Sequence, residues 1–350
     1  MARNFSFSTA VLHWFDHSGR KHLPWQQDIT PYRVWLSEIM LQQTQVSTVI
    51  PYFEKFTHKF PDVESLASAP IDDVLALWTG LGYYTRARNL HRTAKIISSE
   101  YQSLFPDDVE TLIGFPGIGR STAAAIISIA YNKKAAILDG NVKRVLARFH
   151  AVAGWPGENA VAKILWQHAE DHTPKKRAGD YTQAMMDLGA TVCTRRKPRC
   201  DNCPLRTHCE AYWQDSIALY PGRKNNKSLP VKAVQMLMIR NPVGEILLQQ
   251  RPPTGLWGGL WCLPEIAVTD NIADNCKKLC DQKPRVQEIW PAWRHSFSHY
   301  HLDITPVLLE LPKISATINE PGWRWINPAQ SHTLGLPAPL VRLLAQLASC

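Results

Sequence analysis

The sequence predicts two domains of different class: a mainly helical one over residues 1–220 and an α+β one over 231–350, joined by a linker at 221–230. Three observations carry this reading. Apolar residues recur at helical spacing through residues 5–192, with short Pro- or Gly-containing breaks and almost no strand pattern. From Tyr220-Pro221 to Leu229-Pro230 a polar, basic stretch bounded by prolines interrupts the chain. Beyond it, short apolar runs and turn signals replace the helical period. At 350 residues the chain is long for one domain and comfortable for two.

In the first domain, Thr30-Pro31 reads as a helix start, with Thr as N-cap and Pro in the first turn. Val34, Trp35, Ile39, Met40 and Val46 continue that helix up to Pro51, where a break is expected. Further helices are predicted at 52–60, 63–78, 84–101, 108–113, 120–131, 141–152, 158–171 and 178–190. In the second domain, Val231–Arg240 and Glu245–Gln250 flank Asn241-Pro242-Val243-Gly244, a hairpin signal. His301–Leu311 and Trp323–Ile326 read as strands, and 270–281 and 338–348 as helices.

With 45% hydrophobic and 20% charged residues, wholesale disorder is excluded. No apolar run reaches the roughly 20 residues of a bilayer span. Asp16, His17, Arg20 and Lys21 interrupt the amino end before a signal-peptide core forms. A soluble, cytoplasmic protein without a membrane partner is expected, and nothing points beyond a monomer. The net charge is +9, and +6 of it falls within residues 193–232. A basic block of that kind suits a polyanion, above all nucleic acid. A solvated linker would carry the same lysines.

Four of the eight cysteines fall within 17 residues, as Cys193-x6-Cys200-x2-Cys203-x5-Cys209. Four thiolates at this spacing hold either an iron–sulfur cluster or zinc. Structural zinc sites usually pair two Cys-x2-Cys units, and only one is present, which favours the cluster. Arg195, Arg196, Lys197, Arg199 and Arg206 lie between the ligands, where they offer cations to phosphates.

A second signal is Gly114-Phe115-Pro116-Gly117-Ile118-Gly119-Arg120-Ser121, set between two predicted helices. A Pro-Gly-x-Gly turn leaves free backbone N–H groups at the start of the next helix, where the dipole also favours an anion. A plain interhelical turn has the same pattern, but Asp139-Gly140-Asn141 some twenty residues on strengthens the binding reading. Two carboxyls suit acid chemistry. Glu38 lies one helical turn from Val34, Trp35, Leu41 and Gln42, a largely apolar setting that raises a carboxyl pKa; a salt-bridged surface glutamate is the alternative. Asp139 precedes a helix and would serve equally as an ordinary N-cap.

The hairpin, the aspartate and the four-cysteine loop resemble the helix–hairpin–helix DNA glycosylase superfamily of endonuclease III. The match narrows to its adenine glycosylase branch of the MutY type. Leu23-Pro24-Trp25, the run Trp35 to Gln45, Gly80-Leu81-Gly82-Tyr83-Tyr84, Leu138-Asp139-Gly140-Asn141-Val142 and Phe297-Ser298-His299 carry that resemblance. It implies a helical glycosylase fold with a hairpin at about 111–130 and a 4Fe-4S cluster on Cys193, Cys200, Cys203 and Cys209. It also implies a partner, duplex DNA with adenine opposite 8-oxoguanine or G. Glu38 would protonate the departing adenine, and Asp139 would stabilise the sugar cation or trap it covalently. Asn141 and the hairpin residues Gly117, Gly119 and Ser121 would face DNA. Trp25 would flank the extruded base, followed by Gln26 where many relatives have Arg. Gln43, Thr44, Leu81 and Tyr83 would act as wedge or opposite-base contacts.

The endonuclease III branch has a Schiff-base lysine where this chain has Ser121, so a monofunctional glycosylase is expected. The carboxyl domain resembles a Nudix (MutT-like) fold through Arg251-Pro252-Pro253 and Trp257-Gly258-Gly259-Leu260-Trp261. It lacks the glutamate-rich metal helix, since Glu265, Asp270, Asp274 and Asp281 are too dispersed. That implies a lost pyrophosphatase and a recognition role through Phe297, Ser298 and His299. A glycosylase/lyase and a non-catalytic iron–sulfur DNA-binding protein are the competing readings.

Overall fold

The computed structural model describes residues 5–224, 228–313 and 322–348. The chain divides into two compact units, Met1–Ser68 with Asn89–Asn226, and Ala69–Arg88 with Lys227–Cys350. Residues 225–227 of the expected linker lie outside the described residues. Among the described residues no helix is long and apolar enough to cross a membrane.

The first unit is helical throughout. Thr30 caps the helix Pro31–Leu41 by accepting from Arg33 N at 3.2 Å. That helix turns Tyr32, Val34, Trp35, Leu36, Ile39 and Met40 into the core. It stops at Leu41, ten residues before the expected break, because Gln43 turns left-handed (φ 57°). The next helix, Val46–Lys59, contains Pro51 in its interior. Proline removes one backbone donor but did not end this helix, whose Val49, Phe53 and Phe56 are fully buried. Packing outweighs the lost bond.

Asp108 caps Val109–Ile113, and after the hairpin Arg120–Tyr131 runs through the core. Asp139 caps Gly140–Phe149. The helix predicted at 178–190 is α-helical only over Ala178–Asp187 and then widens into a π turn, Leu188–Val192. That turn lies so close to the Asp139 helix that a Cβ on Gly189 would meet Asn141 Cβ at 2.5 Å. Only glycine fits there.

The second unit is built on a mixed eight-stranded sheet: β1 Val231–Arg240, β2 Ile246–Gln250, β3 Trp261–Cys262, β4 Glu265–Ala267, β5 Arg285–Ile289, β6 Trp293–Ser296, β7 His301–Glu310 and β8 Trp323–Ile326. Its main order is β3-β2-β1-β7-β5, with β4 on β1, β6 on β7 and β8 on β2. β1 and β7 run parallel in unbroken register from Val231↔His301 to Arg240↔Glu310. Alternate residues of β1, Leu237 and Ile239, join Leu247, Val307 and Leu309 in a core covered by Cys276 and Cys280 of the helix Ile272–Cys280. The strands β5 and β6 are too polar or too short to show a pattern in sequence.

A division at the linker alone does not capture this packing. Tyr84 Oη donates to Leu336 O at 2.8 Å, and Arg88 donates to Gly258 O. A Cβ on Gly335 would meet Leu75 Cβ at 2.6 Å. The segment Ala69–Arg88 therefore packs with residues more than 150 positions away, which no local signal announces.

Candidate active site

Glu38, Trp25, Gln42, Thr44, Ser121, Asp139, Asn141, Gln183 and Asp187 line one cleft of about 980 Å³ in the first unit. Glu38 comes from the middle of Pro31–Leu41 and stays partly accessible on the cleft wall. Burial among its neighbours, with the charge of Asp139 adding to it, raises its pKa from 4.5 to about 8. A neutral carboxyl is thus available at physiological pH.

Asp139 differs in having hydrogen-bond donors directed at both of its oxygens. Its Oδ1 accepts from Val142 N at 2.7 Å and its Oδ2 from Asn141 Nδ2 at 3.2 Å. Burial raises its pKa above the usual 3.8, and these bonds with the nearby Arg144 offset that rise only in part. The cap and the site are one arrangement: the N–H groups that start the helix also favour the anion. Ser121 Oγ accepts from Leu138 N at 3.0 Å, which ties the approach to Asp139 onto the helix after the hairpin. Trp25 is buried edge-on against Phe53, and the Gln26 side chain bridges Leu23 N and Gln183 Oε1.

In the hairpin, Gly117 adopts φ 81°, and an added Cβ would lie 2.9 Å from Asn89 Cβ. Gly119, the N-cap of Arg120–Tyr131, has nothing within 4 Å of such an atom. One glycine makes the turn, and the other leaves the helix N-terminus open. Gln43 and Tyr83 are exposed, non-glycine residues at positive φ, 57° and 49°. A strained backbone that presents an exposed side chain is a common mark of a binding site. Leu81, by contrast, is only 5% exposed. Arg86 holds that loop by donating to Leu81 O and Gly82 O at 3.2 Å, with its guanidinium near the Tyr83 ring. In the second unit, Phe297 packs on Trp257, His295 and Tyr300, while Ser298 and His299 are exposed beyond it.

The four loop cysteines line a single cavity with Val145, Arg148, Phe149, Leu205 and Ile217. Burial pushes the Cys203 thiol up to about 12, and the sulfurs of Cys193, Cys209 and Cys200 add to the rise. Four mutually repelling thiolates against apolar walls fit a cationic metal core. Arg195, Arg196 and Lys197 are exposed, as the sequence suggests. Arg199 is exposed and Arg206 half-buried, but their donors are engaged within the loop: Arg199 binds Thr191 O and Arg206 binds Asp201.

Three family models match the chain: an HhH-GPD superfamily base excision DNA repair protein over residues 36–171, an iron-sulfur binding domain of endonuclease III over 193–209, and a NUDIX domain over 235–346. An adenine DNA glycosylase of Buchnera aphidicola (subspecies Acyrthosiphon pisum) is 40% identical over 97% of both chains. The human adenine DNA glycosylase is 32% identical over 97% of this chain and 73% of its own. The chain belongs to the adenine DNA glycosylase family. It is a DNA N-glycosylase of base excision repair and carries a 4Fe-4S cluster. Among solved structures, a thermostable thymine-DNA glycosylase superposes with a TM-score of 0.54 at 28% identity, covering 59% of this chain and 95% of its own. An endonuclease III–DNA complex, at 20% identity and a TM-score of 0.51 over 59% of this chain and 94% of its own, shares the fold.

An adenine glycosylase needs its base out of the stack for chemistry, and the cleft lined by Glu38 and Asp139 is the candidate to receive it. The cysteines that would hold the cluster are Cys193, Cys200, Cys203 and Cys209. When bound there, the cluster would add folding energy and fix the loop that carries the exposed Arg195, Arg196 and Lys197. What sequence reasoning missed in this site is Gln183, Asp187 and Arg20. Asp187 is buried, and its carboxylate accepts from Arg20 N at 2.7 Å and Arg20 Nε at 2.9 Å. No motif marks that pair, because its members are 167 residues apart.

Proposed function

We propose that Glu38 and Asp139 are the acid and the anion of a monofunctional glycosylase that removes adenine opposite 8-oxoguanine or G. The observation that carries this is the pairing of two carboxyls in one cleft, Glu38 held neutral to about pH 8 by burial and Asp139 given donors of its own by Val142 N and Asn141 Nδ2. Glu38 gives its proton to adenine N7. The glycosidic bond then breaks with its electron pair leaving on the base, and the Asp139 carboxylate stabilises the sugar cation. Water captures that sugar, directly or after a covalent ester with Asp139.

Trp25 flanks the flipped base, and Asn141 holds Asp139 in place. Gly117, Gly119 and Ser121 bring a phosphate to the helix N-terminus. Gln43 with Thr44, and Tyr83, enter the duplex, while buried Leu81 anchors the loop that presents Tyr83. Ser298 and His299, backed by Phe297, read the opposite lesion. The Nudix-like unit is a reader without pyrophosphatase, because its carboxylates are scattered and two of them have other work: Glu265 pairs with Arg251 at 2.9 Å, and Asp270 accepts from Ala267 N at 3.1 Å. This activity fits a monomer working on DNA in the cytoplasm.

Borohydride trapping on an A:8-oxoguanine duplex tests the reading. Free adenine without a trapped complex is the expected result, since Ser121 cannot form an imine. A trapped complex would make the protein a glycosylase/lyase. Neither product would leave an iron–sulfur DNA-binding protein without catalysis.

A further inference from the structure

Arg148 is a long cation that is almost fully buried, at 4% exposure, and it plays no part in base removal. It extends from the helix Gly140–Phe149 to the cysteine loop, where each of its three nitrogens donates. Its Nη1 donates to Cys193 Sγ at 3.3 Å and to Thr194 O at 2.8 Å, its Nη2 to Arg195 O at 3.1 Å, and its Nε to Tyr220 O at 3.0 Å. Three of the four acceptors are the first ligand cysteine and the two residues after it. The fourth, Tyr220 O, follows the short helical turns Glu210–Trp213 and Ile217–Leu219 that come after the loop.

We propose that Arg148 is the positioning residue of the cluster site, setting both the cluster's potential and its resistance to oxidation. The proposal rests on the reading of Cys193, Cys200, Cys203 and Cys209 as the cluster ligands. The physical reason is direct. Four thiolates outweigh the charge of the iron–sulfur core, so a buried guanidinium compensates net negative charge where water cannot. An N–H···S bond draws electron density from the ligand sulfur. Both effects favour the electron-richer state of the cluster, which raises its potential and makes oxidation harder. The fork also fixes the two carbonyls that follow Cys193, so the sulfur is aimed before the metal arrives.

The test compares the cluster-loaded full-length protein with R148Q and R148K, purified without oxygen. Three quantities are measured: iron per chain, the midpoint potential of cluster oxidation by voltammetry, and the rate at which ferricyanide bleaches the cluster's visible absorbance. R148Q keeps some donors but loses the charge. It is expected to have a lower midpoint and to bleach about tenfold faster, at the low end of the cost of losing an outer-shell partner. R148K keeps the charge but not the fork, and falls between the two. Should R148Q fail to load or fold, R148K alone decides, because a lowered midpoint in a folded, loaded protein is not an effect of destabilisation. Midpoints and bleaching rates equal to wild type in the loaded variants would overturn the proposal. A wild-type protein without iron would overturn the ligand reading instead.

Discussion

Asp139 and Glu38 face the same cleft, and the charge on Asp139 adds to burial in holding the proton on Glu38. In the proposed mechanism, the anion that steadies the sugar thereby also arms the acid that releases the base. Neither residue carries its full function alone.

Replacing Glu38 by Gln should lower the rate of adenine release by at least about 100-fold while duplex affinity stays within a few-fold. The same change should flatten the pH dependence of stability. Unfolded Glu38 gives up its proton near 4.5 and the folded residue near 8, so wild-type stability falls as pH rises across that window. Thermal melts of the two proteins from about pH 4 to 9 measure this. A large loss of duplex affinity would mark Glu38 as a structural residue.

The rate of base release should decline above about pH 8, as Glu38 ionises. At the acid end it should decline as Asp139 takes up a proton. Asp139→Asn keeps an acceptor for Val142 N but removes the charge, so the helix should persist while activity is lost. Single-turnover rates across pH, with circular dichroism of the variant, check both arms.

The two hairpin glycines should separate. Gly117→Ala forces a side chain into the left-handed region against Asn89 and should cost about 1–2 kcal/mol of stability. Gly119→Ala enters open space and should cost stability only the modest loss of a poorer N-cap, yet weaken DNA binding by blocking a phosphate. Chemical denaturation and fluorescence titration with a duplex distinguish the two effects.

Neutralising Arg195, Arg196 and Lys197 together should reduce the slope of log affinity against log salt by about one for each phosphate these cations neutralise. Arg199→Ala should instead loosen the loop, because its guanidinium holds Thr191 O. An unchanged slope in the triple variant would dismiss this loop as a phosphate-binding surface.

His150, His168 and His172 form an imidazole cluster, with His150 Nε2 2.8 Å from His172 Nε2 and the His150 and His168 rings stacked at 3.7 Å. Burial, then His168 and His172, lower the His150 pKa from 6.5 to about 4, against a small pull from Asp171. The unfolded chain binds the proton first, so this contribution to stability is intact above pH 6.5 and lost as pH falls toward 4. In His150→Gln the acid-side decline of the melting temperature should be shallower.

Much of the site was legible because its parts are local. The Thr30 cap, the Pro-Gly-x-Gly hairpin, Asp139 before its helix and the Cys-x2-Cys unit each lie within a few residues of the groups they serve. Burial of Glu38 followed from the apolar residues one turn away. The end of its helix did not, since Pro51 looked like the stop and the left-handed Gln43 was the real one. Leu81 and Tyr83 are alike in sequence pattern, but the fold buries one and exposes the other.

By its order of residues alone, this chain determined its two fold classes, its cysteine loop and its pair of acids, because caps, turns and metal spacings act over one or two turns of backbone. Only the tertiary structure decided that Arg20 meets Asp187, that Arg148 reaches Cys193 Sγ, and that Ala69–Arg88 packs with the carboxyl-terminal residues. Those pairings join segments tens to hundreds of positions apart. They are fixed by how buried faces fill space together, and no local pattern encodes that.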